Sequence, residues 1–295
     1  MAPNHPTSRR TFLKAAALGS VGAALGSPVA FRPRTAQAAR PAAAVPFTLG
    51  VSSYSLRKFS RPEAIAMIKA LRASHVSVKS FHMPYEDSPE ELAAGARAFA
   101  EAGIEIVSGG NNNIREDNDD HVRMFFEYAK AAGIPTLVIA PTVEIMPRIE
   151  RFVKEYDIRV AIHNHGPEDE HFPGPKDALK VIKDMDPRVG LCVDVGHTAR
   201  TGVDVVEAIA EAGERLLDMH MKDLRDLSDK KSQCIVGEGA MPVAGIFRQL
   251  AKMNYQGYVN LEYEIDADDP LPGMQQSFAY MRGVLAGMES EGHTY

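Results

Sequence analysis

Gly190-Leu191-Cys192-Val193-Asp194-Val195-Gly196-His197 is an apolar run of strand length that stops on a carboxylate, a glycine and an imidazole. Three other runs stop in the same manner: Ile162-His163-Asn164-His165-Gly166 before it, and Met219-His220-Met221-Lys222-Asp223 and Asn260-Leu261-Glu262-Tyr263-Glu264 after it. Outward from these four, short β-branched runs alternate with amphipathic stretches of helical period from Thr48 onward, the signature of a parallel sheet built from βα units. Eight strands are expected, near residues 48–53, 75–80, 104–108, 136–140, 158–163, 190–194, 216–220 and 258–262. Helices are expected between them, for example over 62–72, with Pro62 just inside the start, and over 204–211. The pairs Ala102-Gly103, Ala132-Gly133 and Ala212-Gly213 sit where helices should stop. An open, doubly wound sheet is the alternative. Eight evenly spaced units favour closure into an α/β (β/α)8 TIM barrel, for which about 250 residues suffice.

In such a barrel the functional groups come from the carboxyl ends of the strands. Strand parity puts Ala161 with His163, Cys192 with Asp194, Asp218 with His220 and Asn260 with Glu262 on shared faces. A single His or Asp at a strand end is more often a cap or a solvated loop residue. Four successive strands ending this way point to a metal site, because barrel packing does not require ligand-type side chains there. His163, Asp194, His220 and Glu262 mix imidazole with carboxylate, which suits Mn2+, Co2+, Fe2+ or Zn2+ with positions open for substrate oxygens. His165 and His197, just beyond them, either orient a ligand and touch substrate or are simply polar loop residues.

The 295-residue chain is ordinary in bulk, 45% hydrophobic and 24% charged, with room for one large core. Its first forty residues contain no Asp or Glu. Ser8-Arg9-Arg10-Thr11-Phe12-Leu13-Lys14 reads as a twin-arginine export motif, followed by an Ala/Gly-rich stretch and an A-x-A cleavage site at Ala36-Gln37-Ala38. The expected domains are therefore a signal peptide over 1–38, a linker over 39–47 and the barrel over 48–295, with a periplasmic or extracellular destination. Cleavage near Ala38 removes five of the 33 basic residues and none of the 39 acidic ones, taking the formal charge from −6 to −11. That balance argues against a nucleic-acid partner, whose phosphates demand a positive face. Cys192 and Cys234 are too few for a disulfide framework, and Cys192 reads as a packed core thiol.

From Leu49 to Glu264 the chain resembles the sugar phosphate isomerase/epimerase group. These xylose isomerase-like barrels include ketose 3-epimerases, inosose dehydratases and endonuclease IV. The matching segments are Asp194-Val195-Gly196-His197, His220-Met221-Lys222-Asp223, Gly237-Glu238-Gly239 and Gly257-Tyr258-Val259-Asn260-Leu261-Glu262. The resemblance implies one divalent ion, usually Mn2+ with Co2+, Fe2+, Mg2+ or Zn2+ as alternatives, held by strands five to eight. It also implies His197 in contact with substrate, and makes Glu262, His197 and Lys222 the candidate catalytic groups. Epimerases of the group carry Glu where this chain has His163, so that two carboxylates exchange a proton from opposite faces. Glu168 or Glu170 would have to swing in to replace it, and Glu168 competes with His163 as the strand-five ligand.

Upstream strand ends supply hydroxyl, ammonium and amide groups suited to a polyol: Ser52, Tyr54, Lys79, His82 and the Gly109-Gly110-Asn111-Asn112 stretch. Tyr54, Lys79, His82, Asn111, His165 and His197 are thus the candidate substrate contacts. Lys79 as a solvated charge and the Asn run as a plain turn are the alternatives. No Arg cluster stands out as a phosphate clamp. The expected function is a metal-dependent isomerase or epimerase of a non-phosphorylated carbohydrate, working by enolisation beside a metal-bound carbonyl. A lyase or hydrolase of 3-keto-glycosides, a non-catalytic sugar-binding protein and an abasic-site endonuclease are the competing readings. The expected partners are a small sugar or glycoside and the twin-arginine machinery, and a homo-oligomer is an open possibility.

Overall fold

The computed structural model describes residues 45–290; the twin-arginine motif and its cleavage site lie outside them. Eight parallel strands close into a barrel in sequential order, the last pairing with the first. They are β1 (Thr48–Ser52), β2 (His75–Val78), β3 (Glu105–Asn112), β4 (Thr136–Ile139), β5 (Arg159–His163), β6 (Val189–Asp194), β7 (Leu216–Met221) and β8 (Tyr258–Leu261). The helices are α1 (Arg61–Ala70), α2 (Pro89–Glu101), α3 (Asp119–Ala132), α4 (Met146–Tyr156), α5 (Pro175–Ile182), α6 (Val195–Arg200), α7 (Val205–Ala212), α8 (Val243–Lys252) and α9 (Leu271–Ser290). The antiparallel pair Asp223–Leu224 and Gln233–Cys234 forms a small ribbon after β7.

Local chemistry sets the helix starts. Ser60 with Glu63 and Ser88 with Glu91 form capping boxes on α1 and α2. Asp204, expected as the first residue of a helix, is instead the cap of α7 and accepts from Val206 N and Glu207 N, worth about 1 kcal/mol. Buried side chains such as Phe99, Phe126, Phe152 and Phe247 fill the layer between strands and helices, each stabilising by roughly 1.5–3 kcal/mol. Inside the barrel Cys192 packs against Val138 and Ala161 as a buried free thiol. No helix among the described residues is long and apolar enough to cross a membrane.

Register brings the strand ends level. Asp194 lies beside His220, His163 beside Cys192, and Asn260 beside His220. A bulge between Leu191 and Cys192 absorbs one extra residue of β7 and keeps Asp194 and His220 in step. Strand β3 runs four residues beyond its expected end. Its Asn112 donates from Nδ2 to Gly109 O and Val138 O, both at 2.8 Å, so the Gly-Gly-Asn-Asn stretch is strand rather than turn.

Candidate metal centre

His163 and Asp194 end β5 and β6, His220 is the last residue but one of β7 and Glu262 follows β8, and one donor atom from each lies within 4.8 Å of the others. His163 Nε2 is 3.0 Å from His220 Nδ1 and 3.6 Å from Asp194 Oδ2. His220 Nδ1 is 3.2 Å from Glu262 Oε1. Such separations are close to the polyhedron edges around an ion roughly 2.1 Å from each N or O donor. Asp194 Oδ2, 3.6 Å from His163 Nε2, is buried with no aligned hydrogen-bond partner, a shortage that an ion at this point would relieve. The residues present therefore fit a divalent metal.

Neighbours orient the donors. Asp194 Oδ1 accepts from His197 N at 2.8 Å, so this candidate ligand is also the N-cap of α6. Asn164 ties β5 to β6, accepting from Asp194 N at 3.0 Å and donating to Thr198 Oγ1 at 3.1 Å. Ser52 Oγ donates to Glu262 Oε1 at 3.2 Å. Beneath them Asp218 accepts from Asn260 Nδ2 at 2.7 Å and from Ser108 Oγ at 2.5 Å.

Burial and charge compete at each donor. Burial opposes ionisation of Asp194, yet His197, Lys222 and His163 outweigh it and hold the carboxyl well below its ordinary range. Burial likewise opposes ionisation of Glu262, and His220 and Lys222 hold its carboxyl well below the usual value. Desolvation lowers His163 to about 4 and His197 to about 4. His220 is raised well above its ordinary value: burial opposes this, and Cys192 and Glu262 drive it. Of these two, the ionised Glu262 is the physical cause, because burial keeps Cys192 a thiol, pushed up to about 12.

Lys222 is buried, with Nζ 3.0 Å from Asp194 Oδ2, 2.9 Å from Glu262 Oε2 and in contact with Glu264 Oε1. Three carboxylates around one ammonium keep it charged, against the cost of burial. Above the donors is a cavity of about 250 Å³ lined by Tyr54, Lys79, Asn111, Asn113, His165, His197 and Glu264 together with His163 and Glu262. Lys79 Nζ donates to Asn111 O, and Asn111 Nδ2 meets His165 Nε2 at 2.7 Å.

The expected residues separate clearly. His163, Asp194, His220, Glu262 and Lys222 cluster, and Tyr54, Lys79, Asn111, His165 and His197 face the cavity. His82 does not. It is buried, with Nδ1 3.0 Å from Ser53 Oγ and Nε2 3.2 Å from Leu56 O, because the chain turns back on itself directly after Lys79. Glu168 stays outside, both its oxygens 2.7 Å from Arg200. Glu238 bonds Arg225 Nη2 at 2.7 Å, and the glycines beside it donate their amides to Asp223. Glu264 and Asn113, not singled out from sequence, line the cavity, where burial raises the Glu264 carboxyl above its usual range.

A family model described as a xylose isomerase-like TIM barrel matches residues 65–284. The chain belongs to that family. An inosose dehydratase of Mesomycoplasma hyopneumoniae is 28% identical over 155 residues, which are 46% of this chain and 51% of that one. The chain thus spans about half the length of the first curated relatives it matches. The structure of IolI protein with a bound zinc atom superposes with a TM-score of 0.67 at 14% identity, covering 84% of this chain and 100% of that one. Apo 3-keto-D-glucoside 4-epimerase YcjR from E. coli gives 0.67 at 16% identity, covering 80% and 99%. At these identities the structural likeness within the family is one of fold.

Proposed function

We propose that this member of the family is a metal-dependent enzyme acting on a non-phosphorylated, oxidised carbohydrate. It takes a proton from the carbon beside a carbonyl and expels a substituent from the next carbon. The observation that carries this reading is the convergence of His163, Asp194, His220 and Glu262 at the base of a small polar cavity. These four would hold a divalent ion, Mn2+ on the family pattern, which supplies Lewis acidity toward the carbonyl.

The chain's own groups then divide the work. Tyr54, Asn111, Asn113 and His165 offer hydroxyl, amide and imidazole contacts for sugar oxygens. Glu262 has both oxygens engaged, by His220 and Ser52 on one side and Lys222 on the other. Glu264 reaches Lys222 through Oε1, which leaves Oε2 to accept the α-proton. The carbon–hydrogen electrons form the enolate and its collapse breaks the bond to the leaving oxygen, which takes up a proton from Lys79 Nζ. The products are an unsaturated ketone and water or an alcohol.

Elimination is favoured over two-faced proton exchange because both acids lining the cavity, Glu262 and Glu264, follow β8, while Glu168 beyond β5 is committed to Arg200. Isomerase or epimerase action is the second reading, favoured by Lys79 as a proton carrier from a different strand end. We also propose export by the twin-arginine route to the periplasm or beyond, on the strength of Ser8 to Lys14.

Proton NMR in D2O of the Mn2+-loaded protein with 3-keto-glycosides and free sugars, with Asp194→Asn as control, tests the reaction. A vinylic proton and a released substituent support elimination. Deuterium entering a free sugar, with isomers interconverting, replaces it with the isomerase or epimerase, and silence toward every substrate refutes catalysis.

A further inference from the structure

His197 is presented to the cavity by an arginine that meets no metal ligand. Arg200, at the end of α6, is 9% exposed and donates through Nη2 to Glu168 Oε2 at 2.7 Å, His165 O at 3.0 Å and His197 Nδ1 at 3.2 Å, while Nη1 holds Glu168 Oε1 at 2.7 Å. A guanidinium nitrogen only donates, so the Nδ1 that faces it carries no proton. Nη2 has two hydrogens for three acceptors, so one is shared, and the bidentate Glu168 pair fixes the plane from which both are aimed. Gly166 makes room for this. Its φ is +85°, and a Cβ there would come within 2.2 Å of Arg200 Nη2.

We propose that Arg200 is a positioning residue which locks His197 in the neutral form protonated at Nε2, so that His197 offers the substrate oxygen a hydrogen-bond donor and not a base. A neutral imidazole has one N–H; with Nδ1 occupied as acceptor, the proton resides on Nε2, the nitrogen left for the cavity that His197 lines. A donor aimed at an oxygen that gains charge as the enolate forms stabilises the transition state more than the bound sugar. The same guanidinium grips the carbonyl of His165, so one side chain sets the positions of two cavity histidines from two strand ends. The inference rests on the proposed function only in taking the cavity as the substrate site.

Long-range proton–nitrogen correlation NMR on ¹⁵N-labelled, Zn2+-loaded protein reads the tautomer without any substrate. The expected spectrum at neutral pH shows His197 with unprotonated Nδ1 and protonated Nε2. In Arg200→Met, Nδ1 should lose its unprotonated signature in whole or part while bound Zn2+ stays stoichiometric; Gly166→Ala, which displaces the guanidinium, should do the same. On an elimination substrate, Arg200→Met should lower kcat about ten-fold with KM nearly unchanged. A proton on Nδ1 in the unmodified protein overturns the proposal, and so does an unchanged tautomer in both variants. Failure of the proposed reaction would be read separately, in the substrate assay.

Discussion

Adding Mn2+ should raise the thermal midpoint, and by more at higher pH. The four donors are preassembled, so an ion binding the folded chain alone stabilises it by about 2.7 kcal/mol at a hundred-fold excess over Kd. For a chain of this size that is roughly 5–10 °C. The pH dependence comes from His220, whose pKa is raised well above the ordinary value with Glu262 Oε1 3.2 Å away. Below that raised pKa the metal-free protein carries a proton on His220, which the ion must displace. Affinity then falls about ten-fold, or about 1.4 kcal/mol, for each unit of pH lowered. Above it the proton is already gone and the dependence flattens. Differential scanning across pH with titrated Mn2+, EDTA reversal, and proton release in weak buffer measure each part. A pH-independent increment, or one that survives in Asp194→Asn, would refute the reasoning.

Three further outcomes are expected. His82→Ala should lower stability by about 2–3 kcal/mol by stripping partners from Ser53 and Leu56, while KM and kcat stay within about two-fold, as chemical denaturation and steady-state kinetics would show. Asp223→Ala should cost about 3–5 kcal/mol, because its buried carboxylate accepts from the amides of Leu224, Gly237, Gly239 and Met241; a midpoint drop of less than about 5 °C would contradict this. Changing Arg9 and Arg10 both to Lys should retain the precursor inside the cell, measured by fractionation, whereas a general secretory route would tolerate the change.

The clustering of His163, Asp194, His220 and Glu262 was legible because they obey strand parity and each stands at the end of an apolar run, readable one strand at a time. Glu264 lies two residues beyond Glu262 on the same strand exit, past the end of the strand, where alternation no longer tells which way a side chain faces. His82 was misread because parity lapses once the backbone turns, and His82 N and Met83 N both bond back to Lys79 O. The end of β3 was hidden by composition. Gly-Gly-Asn-Asn is turn chemistry locally, and it is held extended from outside, by Asn112 pairing with Ile139, its side-chain amide on Val138 O and Ala140 N on its carbonyl. Arg200 and Glu168 stand 32 residues apart, a pairing no periodicity could announce.

Asp194 is committed twice. One oxygen caps α6 through His197 N, so the carboxylate cannot rotate to grip an ion with both oxygens without uncapping the helix. Glu262 is similarly divided between Ser52 with His220 and Lys222. A site that lends one oxygen per acid beside two imidazoles is a poor host for Ca2+, which gathers about 6–8 oxygens and favours bidentate carboxylates. Were these four donors to hold an ion, discrimination against Ca2+ would follow from how a helix begins, without any dedicated filter.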